Sequence, residues 1–289
     1  MGWLNTFIIY VALPALFFKL LSKTPVEKLA SWDFIGANIG VTFAIFALTF
    51  CLGLFTSGRR VADATMQGLA GSYGNIGYMG PALAILTFGE QAAVPVALIF
   101  CFENVLHFVN APALMAIARD DNVKKSTLVL GVIRSIILHP FIIATAIGVA
   151  AAFLDLTPPA PIESLIAYLS QAAAPCALFA MGVMLALRPL KRVPIELGYL
   201  VPIKLIVHPA AMYLVLSYVG NFDPIWVYTG VLMAALPTAT NVFVMAQQYG
   251  VWVERVSATI LLTTITSVLT ISALLFAIKT GAIPADLFP

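Results

Sequence analysis

The sequence predicts an all-α polytopic membrane protein, from its composition, its long apolar runs and the placement of its basic residues. Of 289 residues, 61% are hydrophobic and only 10% are charged, whereas soluble domains carry about 25% charged residues. So few charges cannot coat a soluble surface of this size. The composition therefore excludes a water-soluble enzyme and a disordered chain, and a net charge of +2 gives no reason to expect a nucleic-acid partner.

Nine apolar stretches are long enough to cross a bilayer, which takes about 20 residues of helix. They are 3–21, 33–56, 65–88, 92–118, 126–153, 162–187, 196–219, 226–249 and 252–278. The first lacks the basic start and the small-residue cleavage site of a signal peptide, so we expect it to remain as a membrane helix. Cys51, Cys101 and Cys176 all lie in apolar stretches and are interpreted as packing residues.

The basic residues favour one face of the membrane. If the spans alternate, the loops after spans two, four, six and eight share a face that holds nine Lys and Arg residues, and the opposite face holds four. The positive-inside rule then predicts a protein of the cell membrane whose N-terminus is cytoplasmic and whose C-terminus is outside.

Three pairs of residues indicate an internal duplication. Pro14 recurs as Pro175 and Gly89 as Gly250, both at a spacing of 161, and Asn75 recurs as Asn241 at a spacing of 166. The second copy has five spans and the first has four, so we expect that a helix preceding 3–21 is missing. Five spans per copy is an odd number, which predicts two copies of opposite orientation, as in many secondary transporters.

Spans 65–88 and 226–249 are predicted to be interrupted within the membrane. Residues 74–81 hold three glycines and a proline, and residues 237–241 hold a proline, two threonines and an asparagine. Freed backbone groups survive in a membrane only where they line a cavity or are sealed by protein. The N-termini of half-helices suit a carboxylate, and freed carbonyls suit a small cation; the alternative is a proline kink accommodated by neighbouring helices. The candidate substrate-binding residues are Asn75, Gly77, Pro81, Pro237, Thr238, Thr240 and Asn241.

Ionisable residues deep in the predicted spans form a second set of candidates. Glu103 and His107 are four residues apart and share one helical face. A buried acid is costly unless it is protonated, paired or hydrated, so a coupling or gating role is plausible. The candidates for ion coupling or charge pairing are Glu103, His107, Arg134, His139, Lys204 and His208. The alternative is that Arg134 and Lys204 snorkel to the interface and that His139 and His208 cap carbonyls freed by the following prolines.

Motifs of several other function classes are absent from the sequence. It has no HExxH, no Gly-x-Ser-x-Gly and no phosphate-binding loop, so neither an enzyme nor ATP-driven transport is predicted. Three histidines on three spans, without a local pair of ligands, do not indicate a metal site. We expect no cofactor, and Na⁺ or H⁺ as the coupling ion; an intramembrane enzyme that uses Glu103 and the histidines is the least supported alternative.

Five segments together resemble the auxin efflux carrier family. They are NTFIIYVALPAL at 5–16, GNIGYMGP at 74–81, APCALFAMG at 174–182, KLIVHP at 204–209 and LPTATNVF at 236–243. The likeness covers essentially the whole chain, and its most specific parts are the second broken helix and the Lys…His-Pro span.

The resemblance implies a ten-helix inverted repeat with crossed, unwound fourth and ninth helices. In that scheme span 3–21 is the family's second helix, and this chain lacks the first. The resemblance also implies a dimerising scaffold domain, a homodimer and a mobile transport domain for small organic anions such as malonate or another dicarboxylate. The scaffold corresponds to 1–30 and 126–190, the transport domain to 31–118 and 195–281, and the crossover to 71–81 and 235–243.

The leading hypothesis is a secondary active transporter or uniporter that moves a small carboxylate by alternating access. Asn75, Asn241 and half-helix N–H groups would hold the acid, and Glu103 would modulate charge or couple ion movement. The alternative is a membrane sensor or scaffold that kept the carrier fold and does not transport.

Overall fold

The computed structural model describes residues 2–24, 30–119, 130–131, 133–134, 137–138, 140–186, 193–220 and 222–287. Within these residues the regular structure is helical, there is no β-strand, and one isolated antiparallel bridge joins Gly74 to Thr238. Where a predicted span is fully described, the observed helix begins and ends close to the predicted bounds.

The helices follow the apolar runs in chain order. They are α1 (Gly2–Phe7), α2 (Leu13–Leu21), α3 (Trp32–Thr56), α4 (Val61–Ser72), α5 (Met79–Phe88), α6 (Ala93–Arg119), α7 (Pro140–Phe153), α8 (Ala160–Ala186), α9 (Leu197–Pro202), α10 (His208–Val219), α11 (Pro224–Ala235), α12 (Thr240–Tyr249) and α13 (Val253–Lys279). Two wider π-helical segments, Ile8–Ala12 and Ile203–Val207, join α1 to α2 and α9 to α10. A 3₁₀ turn, Glu90–Ala92, precedes α6.

Four stretches of the described helices are long and apolar enough to cross a membrane. They are Trp32–Thr56, Glu90–Ala118, Leu197–Val219 and Val253–Lys279, and the shorter apolar helices are Ile8–Leu21, Met79–Phe88, Ile142–Phe153 and Pro224–Ala235. These helices and the composition support an integral membrane protein. The count of nine spans and the inverted repeat stay predictions, and most of 126–139, including His139, lies outside the described residues.

Small residues let α3 and α4 pack closely. A Cβ atom added to Gly71 would lie 2.4 Å from the Thr49 side chain, and one added to Gly53 would lie 2.8 Å from the Ala64 Cα atom. Helices in membranes associate largely through such close backbone approach. The α3–α4 pair thereby holds the first interrupted span in place from its N-terminal half.

The helices that surround the interrupted spans form two sets of neighbours. Helix α2 packs against α7 and α8, while α3 packs against α4, α6 and α10. Contacts also run between the two sets, from α8 to α5 and from α2 to α6. The division into scaffold and transport domains stays a prediction.

Both predicted interruptions are present. Helix α4 ends at Ser72 and α5 begins at Met79, and helix α11 ends at Ala235 and α12 begins at Thr240. Pro237 lies within the second break, whereas Pro81 lies in the first turn of α5 rather than in the first break. The sequence therefore located both breaks correctly.

Candidate functional site

The two unwound segments meet and hydrogen-bond to each other through their backbones. The Asn75 N–H donates to the Pro237 carbonyl at 2.8 Å, and the Ala239 N–H donates to the Tyr73 carbonyl at 2.9 Å. This reciprocal pair encloses the bridge between Gly74 and Thr238. Backbone groups that leave a helix inside the bilayer need such partners, because hydrocarbon offers none.

The local sequence explains why the two unwound segments can approach each other here. A Cβ atom added to Gly74 would lie 3.1 Å from the Met233 carbonyl oxygen and 3.4 Å from Lys204 Nζ, so a larger residue would crowd the crossing. Pro237 has no N–H to continue α11, and the preceding Leu236 is accordingly extended, with ψ 147°.

Thr238 seals the crossing on the side of α4 and α13. Its hydroxyl donates to the Ala70 carbonyl at 2.7 Å, and its N–H donates to Thr263 Oγ1 at 3.2 Å. Both groups would otherwise be unsatisfied at a position that is fully buried. Thr238 is therefore a structural residue of the crossing.

A cavity of about 40 Å³ lies beside the crossing. Its walls come from both breaks and from the segment joining α1 to α2, and they are formed by Ile9, Leu13, Tyr73, Gly74, Asn75, Gly77, Tyr78, Phe100, Ala239, Thr240 and Asn241. Four of the seven predicted substrate-binding residues, Asn75, Gly77, Thr240 and Asn241, thus line it. Pro81, Pro237 and Thr238 do not line this cavity.

Both half-helices that begin at the crossing lack a side-chain cap at their N-cap position. Asn75 Oδ1 accepts the Tyr78 N–H at 3.4 Å, and the Asn75 carbonyl accepts the N–H groups of Met79 and Gly80 at 3.1 Å. Asn75 therefore holds the turn that leads into α5, whose own N-cap position is Tyr78, without a side-chain cap. Helix α12 has Ala239 at its N-cap position and no side-chain cap.

Tyr73 connects the crossing to the polar face of α6. Its hydroxyl accepts from Asn241 Nδ2 at 2.9 Å and donates to Asn104 Oδ1. Its ring stacks on His107 with centroids 4.2 Å apart. His107 is fully buried, and within the described residues neither of its ring nitrogens has a hydrogen-bond partner.

A buried chain of polar side chains lies behind the crossing and joins Lys204 to Glu103. Lys204 Nζ lies 3.1 Å from His208 Nδ1, His208 Nε2 lies 3.5 Å from Thr42 Oγ1, and Thr42 Oγ1 lies 3.0 Å from Glu103 Oε1. All four residues are at most 2% exposed.

The hydrogen bonds of this polar cluster all run in one direction, from Lys204 to Glu103. An ammonium group only donates, so His208 Nδ1 accepts and the ring proton is assigned to Nε2, which donates to Thr42. The Thr42 hydroxyl then donates to Glu103. The cation and the carboxylate are therefore connected by two intervening side chains that can each pass on a proton.

Lys204 also caps the C-terminal end of α11, which is the first half of the second broken span. Its ammonium donates to the Ala234 carbonyl at 2.6 Å, which is one of the orphan carbonyls at the C-terminus of α11. Lys204 lies in the π-helical segment Ile203–Val207, and π-bulges are frequent at functional sites. The snorkelling alternative is wrong for Lys204, because its side chain is fully buried.

Two further charge candidates lie elsewhere or cannot be placed. Arg134 is exposed and does not join this cluster, and His139 lies outside the described residues. Within the residues that the structure describes, no group of three or more His, Cys, Asp or Glu side chains could hold a metal ion.

Sequence reasoning missed Thr42 and the linking role of Tyr73. Asn38, Thr42 and Thr49 recur at helical spacing on α3 and are all buried, which is a polar stripe in an otherwise apolar helix. That stripe could have indicated Thr42. Tyr73 directly precedes the glycine-rich break, but nothing in the sequence pairs it with Asn241, 168 residues away.

Comparison with known proteins defines the class. A family model described as "Membrane transport protein" matches residues 2–275, and the chain belongs to that family, which confirms the resemblance to the auxin efflux carriers. It is a membrane transport protein. Over all of its 289 residues the chain is 65% identical to a protein of Rhizobium meliloti (strain 1021) named "Putative malonate transporter", and it covers 90% of that relative.

Proposed function

We propose that this protein moves a small carboxylate across the cell membrane by alternating access, with the crossing of the two unwound segments as the binding site. The observation that supports this most is the reciprocal pairing of the two breaks beside a cavity lined by Asn75, Thr240 and Asn241. Broken helices that meet within the membrane are the usual location of substrate sites in secondary transporters.

The N-terminus of α12 is the best candidate for the anion-binding site. No side chain caps its first turn. The first hydrogen bond of this turn runs from the Val242 N–H to the Ala239 carbonyl, so the N–H groups of Thr240 and Asn241 precede it and have no partner within the helix. Uncapped N–H groups and the helix dipole favour a carboxylate. Helix α5 is a weaker candidate, because Asn75 already accepts N–H groups at its start: its side chain accepts from Tyr78, and its carbonyl accepts from Met79 and Gly80.

A dicarboxylate is the substrate class we favour. The relative in Rhizobium meliloti is named for malonate, which carries two carboxylates. Lys204 supports an anion electrically, because its ammonium lies directly behind Gly74. The acid would be held by peptide and amide donors in front and by this buried positive charge behind.

The cavity must widen to admit such an acid. Its volume of about 40 Å³ is comparable with the share of about 30 Å³ that one water molecule has in the liquid. Ile9 and Leu13 form part of the cavity wall, and they belong to the predicted scaffold domain. A displacement of the transport domain against that wall would open the cavity to one side of the membrane at a time.

The Lys204–Glu103 chain is our candidate for ion coupling. We favour H⁺ as the coupling ion, because His208 and Thr42 connect the two charged groups by groups that exchange protons. Na⁺ is the alternative. The cytoplasmic N-terminus and the homodimer belong to the same proposal and follow from the bias of basic residues and from the family resemblance.

Uptake of radiolabelled malonate into proteoliposomes tests the proposal. We expect Asn241→Ala and Asn75→Ala to abolish uptake without a large change in unfolding temperature. The matched control is Gln247→Ala, which removes an exposed amide from the same helix, α12, and should leave uptake unchanged. Normal uptake by both asparagine variants would contradict the site, and malonate binding without uptake by the unmodified protein would favour a sensor.

A further inference from the structure

A directed chain of hydrogen bonds runs from the backbone of α6 to the side chain of Asn241. Asn104 Nδ2 donates to the Phe100 carbonyl at 2.7 Å, the Tyr73 hydroxyl donates to Asn104 Oδ1, and Asn241 Nδ2 donates to the Tyr73 hydroxyl oxygen at 2.9 Å. Asn104 and Tyr73 are each 1% exposed.

The direction of this chain follows from its first member. A backbone carbonyl only accepts, so Asn104 must point its NH₂ group at Phe100 and its oxygen at Tyr73. The Tyr73 hydroxyl has one proton, which that oxygen takes. Its own oxygen can then only accept, so Asn241 must present NH₂ rather than its carbonyl oxygen.

The position of Tyr73 is fixed by contacts on three sides. Its carbonyl accepts the Ala239 N–H in the crossing, its ring stacks on His107, and its hydroxyl is held by Asn104. Because its single hydroxyl proton is donated to Asn104, Tyr73 has no proton to offer to Asn241. The orientation of the Asn241 amide is therefore set from outside the cavity.

We propose that Tyr73 is a positioning residue that presets Asn241 to donate a hydrogen bond to an anion. With one N–H of the amide bound to Tyr73, the second N–H of the same group remains for a ligand in the cavity that Asn241 lines. In a flipped amide the atom beside Tyr73 would be the carbonyl oxygen, and no N–H would remain at this position for a carboxylate. The inference rests on the proposed function and deepens it, because it explains how the site selects a carboxylate over an uncharged analogue.

The first test is equilibrium binding of malonate and of its uncharged analogue malonamide to purified Tyr73→Phe. The loss of one oriented hydrogen bond to a charged group predicts roughly tenfold weaker malonate binding, with malonamide binding changed much less. The matched control is Tyr199→Phe, which removes a hydroxyl bonded to Gln67 and Thr56 away from the cavity and should leave both affinities unchanged.

A second variant tests the orientation of the Asn241 amide by a substitution at Asn104, which does not line the cavity. Asn104→Leu is similar in size and removes the acceptor for the Tyr73 proton, so that Tyr73 becomes free to donate to Asn241 and to reverse its amide. We expect malonate binding to weaken again by roughly tenfold. Unfolding temperatures of all variants, measured alongside, separate loss of binding from loss of folding.

The Asn241→Ala background shows whether Tyr73 acts through Asn241. In that background Tyr73→Phe should have no further effect on malonate affinity, because the group it orients is gone. An equal loss of affinity with and without Asn241, or unchanged malonate binding by Tyr73→Phe and Asn104→Leu, would overturn the inference. Unchanged binding by Asn241→Ala alone would overturn the anion-binding site itself and, with it, the role assigned to Tyr73.

Discussion

Removal of the buried Lys204 charge is the perturbation with the largest expected effect on stability. Lys204 is fully buried and Glu103 is 2% exposed, so neither charge has water to compensate it. Lys204→Met would leave Glu103 without its cation and the Ala234 carbonyl without its donor. Leaving one buried charge without a compensating charge costs about 3–5 kcal/mol.

The charge contribution can be separated from packing by a double-mutant cycle. Glu103→Gln keeps an acceptor for Thr42 but leaves the Lys204 charge uncompensated. It should also lower the free energy of unfolding by about 3 kcal/mol or more. The double variant strands no charge and leaves mainly the orphaned Ala234 carbonyl, worth about 1–3 kcal/mol. We therefore expect the double variant to be more stable than Lys204→Met alone.

Reversible unfolding in mixed detergent micelles, followed by far-ultraviolet circular dichroism, measures these free energies. Lys279→Met is the control, because Lys279 is an exposed residue at the end of α13; it should change the free energy of unfolding by less than about 0.5 kcal/mol. Strictly additive losses in the double variant would refute the reasoning, since they would mean that the two charges do not stabilise each other.

Three further outcomes are expected. Gly71→Ala should destabilise the α3–α4 contact by about 1–3 kcal/mol, because its Cβ would lie 2.4 Å from Thr49, whereas Gly40→Ala, with nothing within 4 Å, should be neutral or stabilising in the same unfolding assay. Asp223→Ala should cost about 1 kcal/mol, since its side chain caps α11 by accepting the Ile225 N–H at 2.8 Å; an unchanged unfolding curve would contradict this. Thr42→Val should abolish malonate accumulation driven by a pH gradient while sparing malonate exchange, because it interrupts the chain to Glu103; full accumulation in proteoliposomes would count against coupling through Thr42.

The breaks could be predicted because the residues that interrupt a helix are neighbours in the sequence. A cluster of glycines and prolines in the middle of an apolar run weakens the helix at that point, and the same segments supplied Asn75, Gly77, Thr240 and Asn241, which line the cavity. Thr238 and Pro237 lie at the predicted second break but do not line the cavity, and their role in substrate binding stays a prediction. Thr238 uses its hydroxyl to satisfy the Ala70 carbonyl, which a pattern of polar residues cannot distinguish from ligand binding.

The partners of buried polar residues could not be predicted, because they come from distant parts of the chain. Thr42 and His208 are 166 residues apart in sequence, and a threonine in an apolar helix usually bonds to its own backbone, as Thr49 does with the Ile45 carbonyl. Snorkelling was a reasonable alternative for Lys204, since a lysine's depth is decided by its neighbours rather than by its distance from a loop.

The crossing is joined by peptide groups, and this has a consequence for how such proteins can diversify. The two bonds between residues 73–75 and 237–239 use only main-chain atoms, so they do not depend on the side chains of the residues that line the cavity. Mutations at the walls can then reshape the binding chamber while the junction itself is retained. New cargo preferences can evolve on this framework without the fold having to be rebuilt each time.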